Sequence, residues 1–235
     1  MNNPFYLRYR QMLDRDAPSA RQVTTPAAIP SDATRARLKR DKKSHKGIGE
    51  RKTLRTLIAD AVDQAYLDEI AQLDRLEHLE LAWPTTARDL APLVKLRHLR
   101  VLKIDSPRAV TDFTPILDLP ALEVLLIENA KHMASLDWLV PLRDRLNVLG
   151  IEGSMWTRQR IPTLAPLAGF AVEALFLTAT TIADRSLAPL HSMPNLKFLG
   201  TARNAPRAQF QALHAAKPDL VCDWFREDMW PPEER

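Results

Sequence analysis

The stretch Leu122-Glu123-Val124-Leu125-Leu126-Ile127 is one copy of a six-residue pattern, Leu-x-x-Leu-x-Leu, that recurs along the 235-residue chain. The spacing between the last positions of successive copies is 22 to 26 residues. Such a regular period indicates a repeat architecture in which every copy contributes one coil. The other copies, two of them degenerate, end at Ala59, Leu81, Ile104, Ile151, Leu177 and Thr201.

Within each copy, the final Leu-x-Leu alternates apolar and other residues in the period of a short strand with one buried face. A single strand of this kind cannot bury its apolar face alone. Neighbouring copies must therefore stack in parallel, so that the inward leucines of one coil lie against those of the next.

A second repeated element lies between the strands and contains proline. Leu90-Ala91-Pro92-Leu93 is its clearest form, and related segments follow the next strands. Proline fixes φ near −65° and lacks a backbone donor, so it suits the first turn of a short helix and not a longer one. The return limb of each coil is therefore predicted to be brief. The related segments are 113–116, 140–142, 164–167 and 187–190, and 67–70 has the same phase without proline.

Strand and return limb together resemble the internalin-type leucine-rich repeats of bacteria over about residues 52–205. The resemblance implies an α/β solenoid: a parallel concave sheet of about seven strands, short helical or 3-10 return limbs, and a C-terminal helix-strand cap. The family's asparagine, three positions after the last strand leucine, is matched only by Asn204. We therefore expect turns that are less regular than those of the family.

Charge and composition divide the chain into three predicted parts: a basic arm at 1–50, the solenoid at 51–205 and the cap at 206–235. The arm holds 11 Lys and Arg against 5 Asp and Glu, whereas the rest of the chain is nearly neutral. We expect the arm to be partly disordered, or docked on the solenoid through Phe5 and Tyr6. Tyr6–Leu13 and Ser31–Lys43 are its candidate helices.

In the C-terminal part, Ala208–Ala216 is predicted to form a helix, and Leu220–Phe225 a last strand. The terminal coil of a solenoid needs a closure over its open core edge. Large aromatic side chains suit that role, and the candidates are Trp224, Phe225 and Trp230.

Catalytic and metal-binding patterns find little support in this sequence. Its six histidines show no His-Glu-x-x-His spacing, and no nucleophile elbow or phosphate-binding glycine loop occurs. We interpret His78 and Glu80 as a surface pair. We therefore predict no enzyme activity, no cofactor and no metal site.

Two further features bear on where the protein acts. Cys222 is the only cysteine, so the chain cannot form an internal disulfide. We interpret Cys222 as a small buried hydrophobic residue. No segment has the apolar length of a membrane span, and the first residues lack a secretory apolar region. The expected location is the cytoplasm.

The residues that flank the buried leucines should point outward from the sheet in three columns. These positions are expected to be polar when they have no other role, but here many are apolar. They would form an apolar patch with acidic residues, including Asp60, along one edge, which is typical of interaction sites. Alternatively, the arm or a loop covers them. The predicted partner-binding residues are ten of these strand positions and one loop residue, Trp156. The strand positions are Val101, Lys103, Asp105, Val124, Leu126, Glu128, Val148, Glu152, Phe176 and Phe198.

The strands alone offer roughly 380 Å², about half of what one partner buries in a specific interface. Loops that leave the strands must contribute, and residues 153–160 belong to the longest repeat. Trp156 is a candidate binding anchor, although packing against its own repeat is the favoured expectation. The loop candidates are Trp83, Arg108, Lys131, His132, Met155, Trp156, Arg158, Arg160 and Arg203.

The sequence thus predicts a protein–protein interaction scaffold that binds a partner with a basic surface on its concave face. One concrete form is an inhibitor or immunity protein that blocks a basic effector. Two alternatives stay open: nucleic-acid association through Arg35 to Lys46, whose cations would neutralise phosphates, and a regulatory subunit that targets an enzyme.

Overall fold

The computed structural model describes residues 21–231, and the chain divides into two compact units between Leu122 and Glu123. Each unit is built on parallel strands joined by short helical limbs. The described residues contain no helix long and apolar enough to cross a membrane.

The first unit contains five parallel strands that neighbour one another in chain order. Their register aligns Leu57 with Leu79, and Leu79 with Leu102, and all three leucines are fully buried. Identical apolar positions of successive repeats therefore stack as the repeat period predicts. The strands are β1 (Gln22–Val23), β2 (Arg35–Lys39), β3 (Thr56–Asp60), β4 (His78–Ala82) and β5 (Val101–Asp105).

In the second unit, four parallel strands continue the same pattern and two shorter strands form a separate ribbon. Leu125, Leu149, Leu175 and Leu199 occupy equivalent buried positions. The four strands are β6 (Val124–Glu128), β7 (Val148–Glu152), β9 (Ala174–Leu177) and β11 (Phe198–Thr201), and the ribbon pairs β8 (Gln159–Ile161) with β10 (Thr180–Ile182).

The return limbs are brief, as proline predicts, although Asp137–Leu142 runs to six residues and has Pro141 inside it. Five 3-10 segments carry proline at their first or second position, and none of these exceeds five residues. The limb without proline forms an α-helix, α1 (Gln64–Ile70), whose start is capped by Asp63. The 3-10 segments are Pro26–Ala28, Ile48–Glu50, Ala91–Lys95, Thr114–Asp118, Asp137–Leu142, Ala165–Leu167, Ala188–Ser192, Asp223–Phe225 and Glu227–Met229.

The predicted helix at Ser31–Lys43 is wrong, because Arg35–Lys39 forms strand β2 and pairs with β3. Ala36 and Leu38 point into the core, and they precede Leu57 and Ala59 by one repeat period. Sheet pairing therefore outweighs the local helix signal. The sheet starts before residue 51, while the three-part division stays a prediction. The Tyr6–Leu13 helix and the docking of Phe5 and Tyr6 lie outside the described residues.

At the C-terminus, the predicted helix is confirmed as α2 (Arg207–Ala216). Phe210 on this helix packs against Trp224 and Trp230, with ring centroids 6.2 and 5.7 Å apart. The predicted last strand is reduced to one parallel bridge, between Val221 and Phe198, before a 3-10 turn begins. The indole of Trp224 donates to the carbonyl of Thr201 at 2.9 Å and ties this turn to β11.

The lone cysteine is buried, as the sequence predicts. Burial raises the pKa of the Cys222 thiol to about 12. The thiolate that nucleophilic chemistry requires is therefore scarce at neutral pH.

His45 lies in the core of the first unit, stacked on Tyr66 with ring centroids 5.1 Å apart. Its Nδ1 atom is buried without a hydrogen-bond partner. Burial lowers the pKa of His45, and nearby charges of both signs, among them Asp63 and Arg40, do not reverse that direction. The folded state therefore holds a neutral imidazole.

We expect the folded protein to lose stability as the pH falls below about 6.5, the ordinary value for histidine. The unfolded chain protonates His45 there, whereas the folded chain resists protonation, so protons favour unfolding. The measurement is the denaturation midpoint between pH 7.5 and 5.5. His45→Phe keeps a ring against Tyr66 and should flatten this dependence; an equally steep loss in the variant would contradict the assignment to His45.

Candidate functional site

Within the second unit, the predicted columns exist in register on one face of the sheet. Val124, Val148, Ala174 and Phe198 form one row across the strands. A second row consists of Leu126, Gly150, Phe176 and Gly200, and Glu128 lies beside Glu152 at the strand ends.

The expected open apolar patch is, however, nearly inaccessible to solvent. Val124 and Val148 are 2% and 1% exposed, and Leu126, Phe176 and Phe198 are also buried. Part of the reason is glycine: the Leu126 side chain fills the space where Gly150 lacks a Cβ atom. The rings of Phe176 and Phe198, 5.4 Å apart, similarly pack over Gly200.

The corresponding face of the first unit is charged. Arg37 donates two hydrogen bonds to the Asp60 carboxylate, at 2.9 and 2.8 Å. This hydrogen bonding to Asp60 raises the pKa of Arg37. The His78 ring lies 3.3 Å from the Glu80 carboxylate. Both residues are buried, so the prediction of a surface pair is wrong.

Two other predicted site residues lie on this first-unit face. Lys103 neighbours Glu80 in register, and Val101 neighbours His78. Both are buried. A partner therefore cannot reach these side chains without rearrangement of the face.

The basic segment that suggested nucleic-acid binding is partly engaged within the chain. Besides the Arg37 pair, Arg40 forms an ion pair with Asp63 at 3.0 Å and donates to two backbone carbonyls. These two cations are thus positioned by the protein's own acids.

Acidic residues occupy the strand ends, as predicted. Asp105, Glu128 and Glu152 are each the last residue of a strand and are partly exposed. The Ser106 hydroxyl donates to Asp105 at 2.7 Å. In the second unit, Glu128 and Glu152 bring two like charges together at one edge.

The loop that follows β7 is fixed by hydrogen bonds to its neighbours. Gly153 donates to the Thr178 carbonyl at 2.9 Å, and the Ser154 amide donates to Asn129 Oδ1 at 3.1 Å. The Ser154 hydroxyl accepts from the amides of Trp156 and Thr157, at 3.2 and 3.1 Å. We call residues 153–158 the β7 turn.

At the tip of the β7 turn, Met155 and Trp156 are 87% and 88% exposed. The favoured expectation that Trp156 packs against its own repeat is therefore wrong. The turn bonds internally and to adjacent loops, so these two apolar side chains project into solvent from a fixed backbone.

Exposed basic residues lie in the β7 turn and in the loops next to it. Arg158 and Arg160 follow it directly, and Arg160 neighbours Thr181 in the β8–β10 ribbon. Lys131 and His132 lie in the preceding loop, which contacts the turn through Asn129, and Arg185 lies just after β10. The one exposed acid among these loop positions, Asp184, accepts a hydrogen bond from the Ser186 amide.

Sequence reasoning missed the residues that support the tip. Asn129 follows β6 directly and adopts a positive φ of 55°, which asparagine tolerates. Thr180 takes over part of the role of the missing ladder asparagine, since its hydroxyl donates to the Ile151 carbonyl at 2.6 Å. The asparagine right after a strand was the available signal.

Among residues 21–231, no group of three His, Cys, Asp or Glu side chains is placed to hold a metal ion.

Comparison with solved structures places the chain in the leucine-rich repeat fold. An internalin of Listeria monocytogenes aligns with 87% of this chain and 58% of its own, with TM-score 0.57 and 16% identity. A leucine-rich repeat protein of Leptospira interrogans aligns with 86% of this chain and 63% of its own, with TM-score 0.50 and 16% identity. The chain thus spans less than two thirds of either structure. No family model and no curated protein matches the sequence.

Proposed function

We propose that this leucine-rich repeat chain is a non-enzymatic scaffold that binds a partner protein at the edge where its strands end. The exposure of Met155 and Trp156 on the fixed β7 turn is the observation that carries the proposal. Exposed apolar groups rimmed by charge mark interaction sites. The buried floor of the sheet serves as support for this edge.

The strand-end acids favour a partner that presents basic groups to them. Glu128 and Glu152 lie side by side and partly exposed, and complementary charge speeds and orients association. An inhibitor or immunity protein that blocks a basic effector is the specific form that these acids favour. A regulatory subunit that targets an enzyme would use the same edge.

Nucleic-acid binding through Arg35 to Lys46 is the weaker proposal. Arg37 and Arg40 already pair with Asp60 and Asp63, so fewer cations are left to neutralise phosphates. The affinity for nucleic acid should fall steeply with salt concentration, and this dependence distinguishes nucleic-acid binding from partner binding at the strand ends.

Charge reversal tests the strand-end surface. We expect Glu128→Lys with Glu152→Lys to reduce recovery of co-purifying partner at least about tenfold, because like charges then face each other. The measurement is affinity purification with quantitative mass spectrometry, with each variant's folding checked by circular dichroism.

The matched control is Asp144→Lys with Asp219→Lys, which changes the net charge equally at exposed positions away from the strand ends. It should retain the partner. If charge reversal unfolds the protein, Glu128→Gln with Glu152→Gln removes the charges more gently. Equal recovery of the same partner by the folded variants and the native chain would contradict a role for these acids.

A further inference from the structure

Trp156 departs from the usual placement of its residue type. Tryptophan is on average well buried in proteins, because its large ring gains most from leaving water. Here the ring is 88% exposed, next to a methionine that is 87% exposed. Two adjacent large apolar side chains thus remain in water.

We infer that Met155 and Trp156 insert into an apolar socket on the partner protein, and that the cations beside them bind acidic residues around that socket. The inference rests on the proposed function and names the chemistry of its central contact. The partner then presents acidic groups to the cations beside Met155 and Trp156, and basic groups to Glu128 and Glu152 at the strand ends.

The backbone of the β7 turn is organised before any partner binds. Its backbone amides donate hydrogen bonds to Asn129 Oδ1, to the Thr178 carbonyl and to the Ser154 hydroxyl. A Cβ atom on Gly153 would lie 2.5 Å from the Thr157 carbonyl oxygen, so the turn is also closely packed. A fixed loop loses little conformational entropy on binding, which favours its use as an anchor.

Charge complementarity selects an acidic rim on the partner. The exposed loop cations Lys131, Arg158, Arg160 and Arg185 outnumber Asp184, the exposed acid of the same loops, while Glu128 and Glu152 lie partly exposed at the ends of the preceding strands. Arginine beside an exposed tryptophan is the composition enriched at the centres of protein interfaces.

A protein fits this tip better than a nucleic acid does. Single-stranded nucleic acids bind to platforms of several aromatic rings, on which successive bases stack. The β7 turn offers one ring, and its neighbour is a methionine, whose flexible thioether adapts to irregular apolar pockets. One buried aromatic side chain of about 150–250 Å² can form the centre of an interface of about 800 Å² per partner.

Peptide selection tests the inference with a defined probe. The full chain is immobilised and used to select from random short peptides displayed on phage, at physiological salt. We expect enriched peptides to combine Asp or Glu with aromatic or aliphatic residues. Trp156→Ala should weaken their binding by roughly 30-fold or more, and Arg158→Glu with Arg160→Glu by about tenfold.

Trp83→Ala is the matched control, because Trp83 is also an exposed loop tryptophan but belongs to the first unit, outside the β7 turn. It should bind the selected peptides as the native chain does. Peptides that bind equally well to Trp156→Ala, enrichment of basic peptides, or Trp156-dependent binding of oligothymidylate would each overturn the inference. Partner capture that depends on Glu128 and Glu152 alone would still support the proposed function.

Discussion

Replacement of Gly153 by alanine should destabilise the second unit by about 3 kcal/mol, or unfold the β7 turn locally, because no space exists for the methyl group. A Cβ atom there would meet the carbonyl oxygens of Ala179 and Thr157 and lie 2.7 Å from the Gln159 amide. All three atoms belong to the backbone, so no flexible side chain can move aside. Chemical denaturation measures the loss, and hydrogen exchange of the 159–161 amides locates it.

Gly169→Ala is the matched control for this prediction. Gly169 has a positive φ of 74° but no atom within 4 Å of an added Cβ, so alanine there costs only backbone strain, about 1 kcal/mol. A Gly153→Ala variant no less stable than Gly169→Ala would show that the turn is more open than its geometry indicates. Partner binding should also fail in Gly153→Ala, since Trp156 loses its fixed support.

Tyr66→Ala should lower the stability of the first unit by about 3–5 kcal/mol, the usual cost of deleting a large buried aromatic side chain. Tyr66 is fully buried on α1, stacks on His45 and donates from its hydroxyl to the Leu38 carbonyl at 3.1 Å. The side chain thus joins helix α1 to strand β2. Urea denaturation of the purified variant measures the change in unfolding free energy.

Tyr66→Phe separates packing from hydrogen bonding at this position. It keeps the ring and leaves the Leu38 carbonyl without this donor, so the expected cost is about 1 kcal/mol. A Tyr66→Ala variant that costs no more than Tyr66→Phe would contradict the dominant role of ring burial. Burial also raises the pKa of the Tyr66 hydroxyl, so it stays a proton donor at any pH used in such measurements.

The sequence was enough to predict the strands and limbs of the described solenoid because both follow from a period. The strand leucines of 76–81 and 99–104 recur at one spacing, and a proline recurs with them in most of the limbs. The same logic could have found β2: Ala36 and Leu38 continue the alternation one period earlier. The alternating basic residues Arg35, Arg37 and Lys39 concealed the strand by suggesting an unpaired basic segment.

The candidate site was less predictable, because it depends on side-chain sizes across different repeats. The face positions were assigned correctly within each unit, but their burial depends on pairings such as Leu126 with Gly150. The exposure of Trp156 depends on hydrogen bonds that the turn donates to Asn129 and Thr178, which belong to other coils. Local sequence does not show which loops will meet in this way.

In the β7 turn, the groups that hold the backbone in place are different from the side chains that are exposed at the tip. Its hydrogen bonds use backbone atoms and the side chains of Ser154 and Asn129, while the side chains at 155, 156 and 158 point outward without a role in that support. Those three positions can therefore vary independently of the fold. Natural divergence or directed evolution at them would redirect recognition to new targets while the repeats stay unchanged.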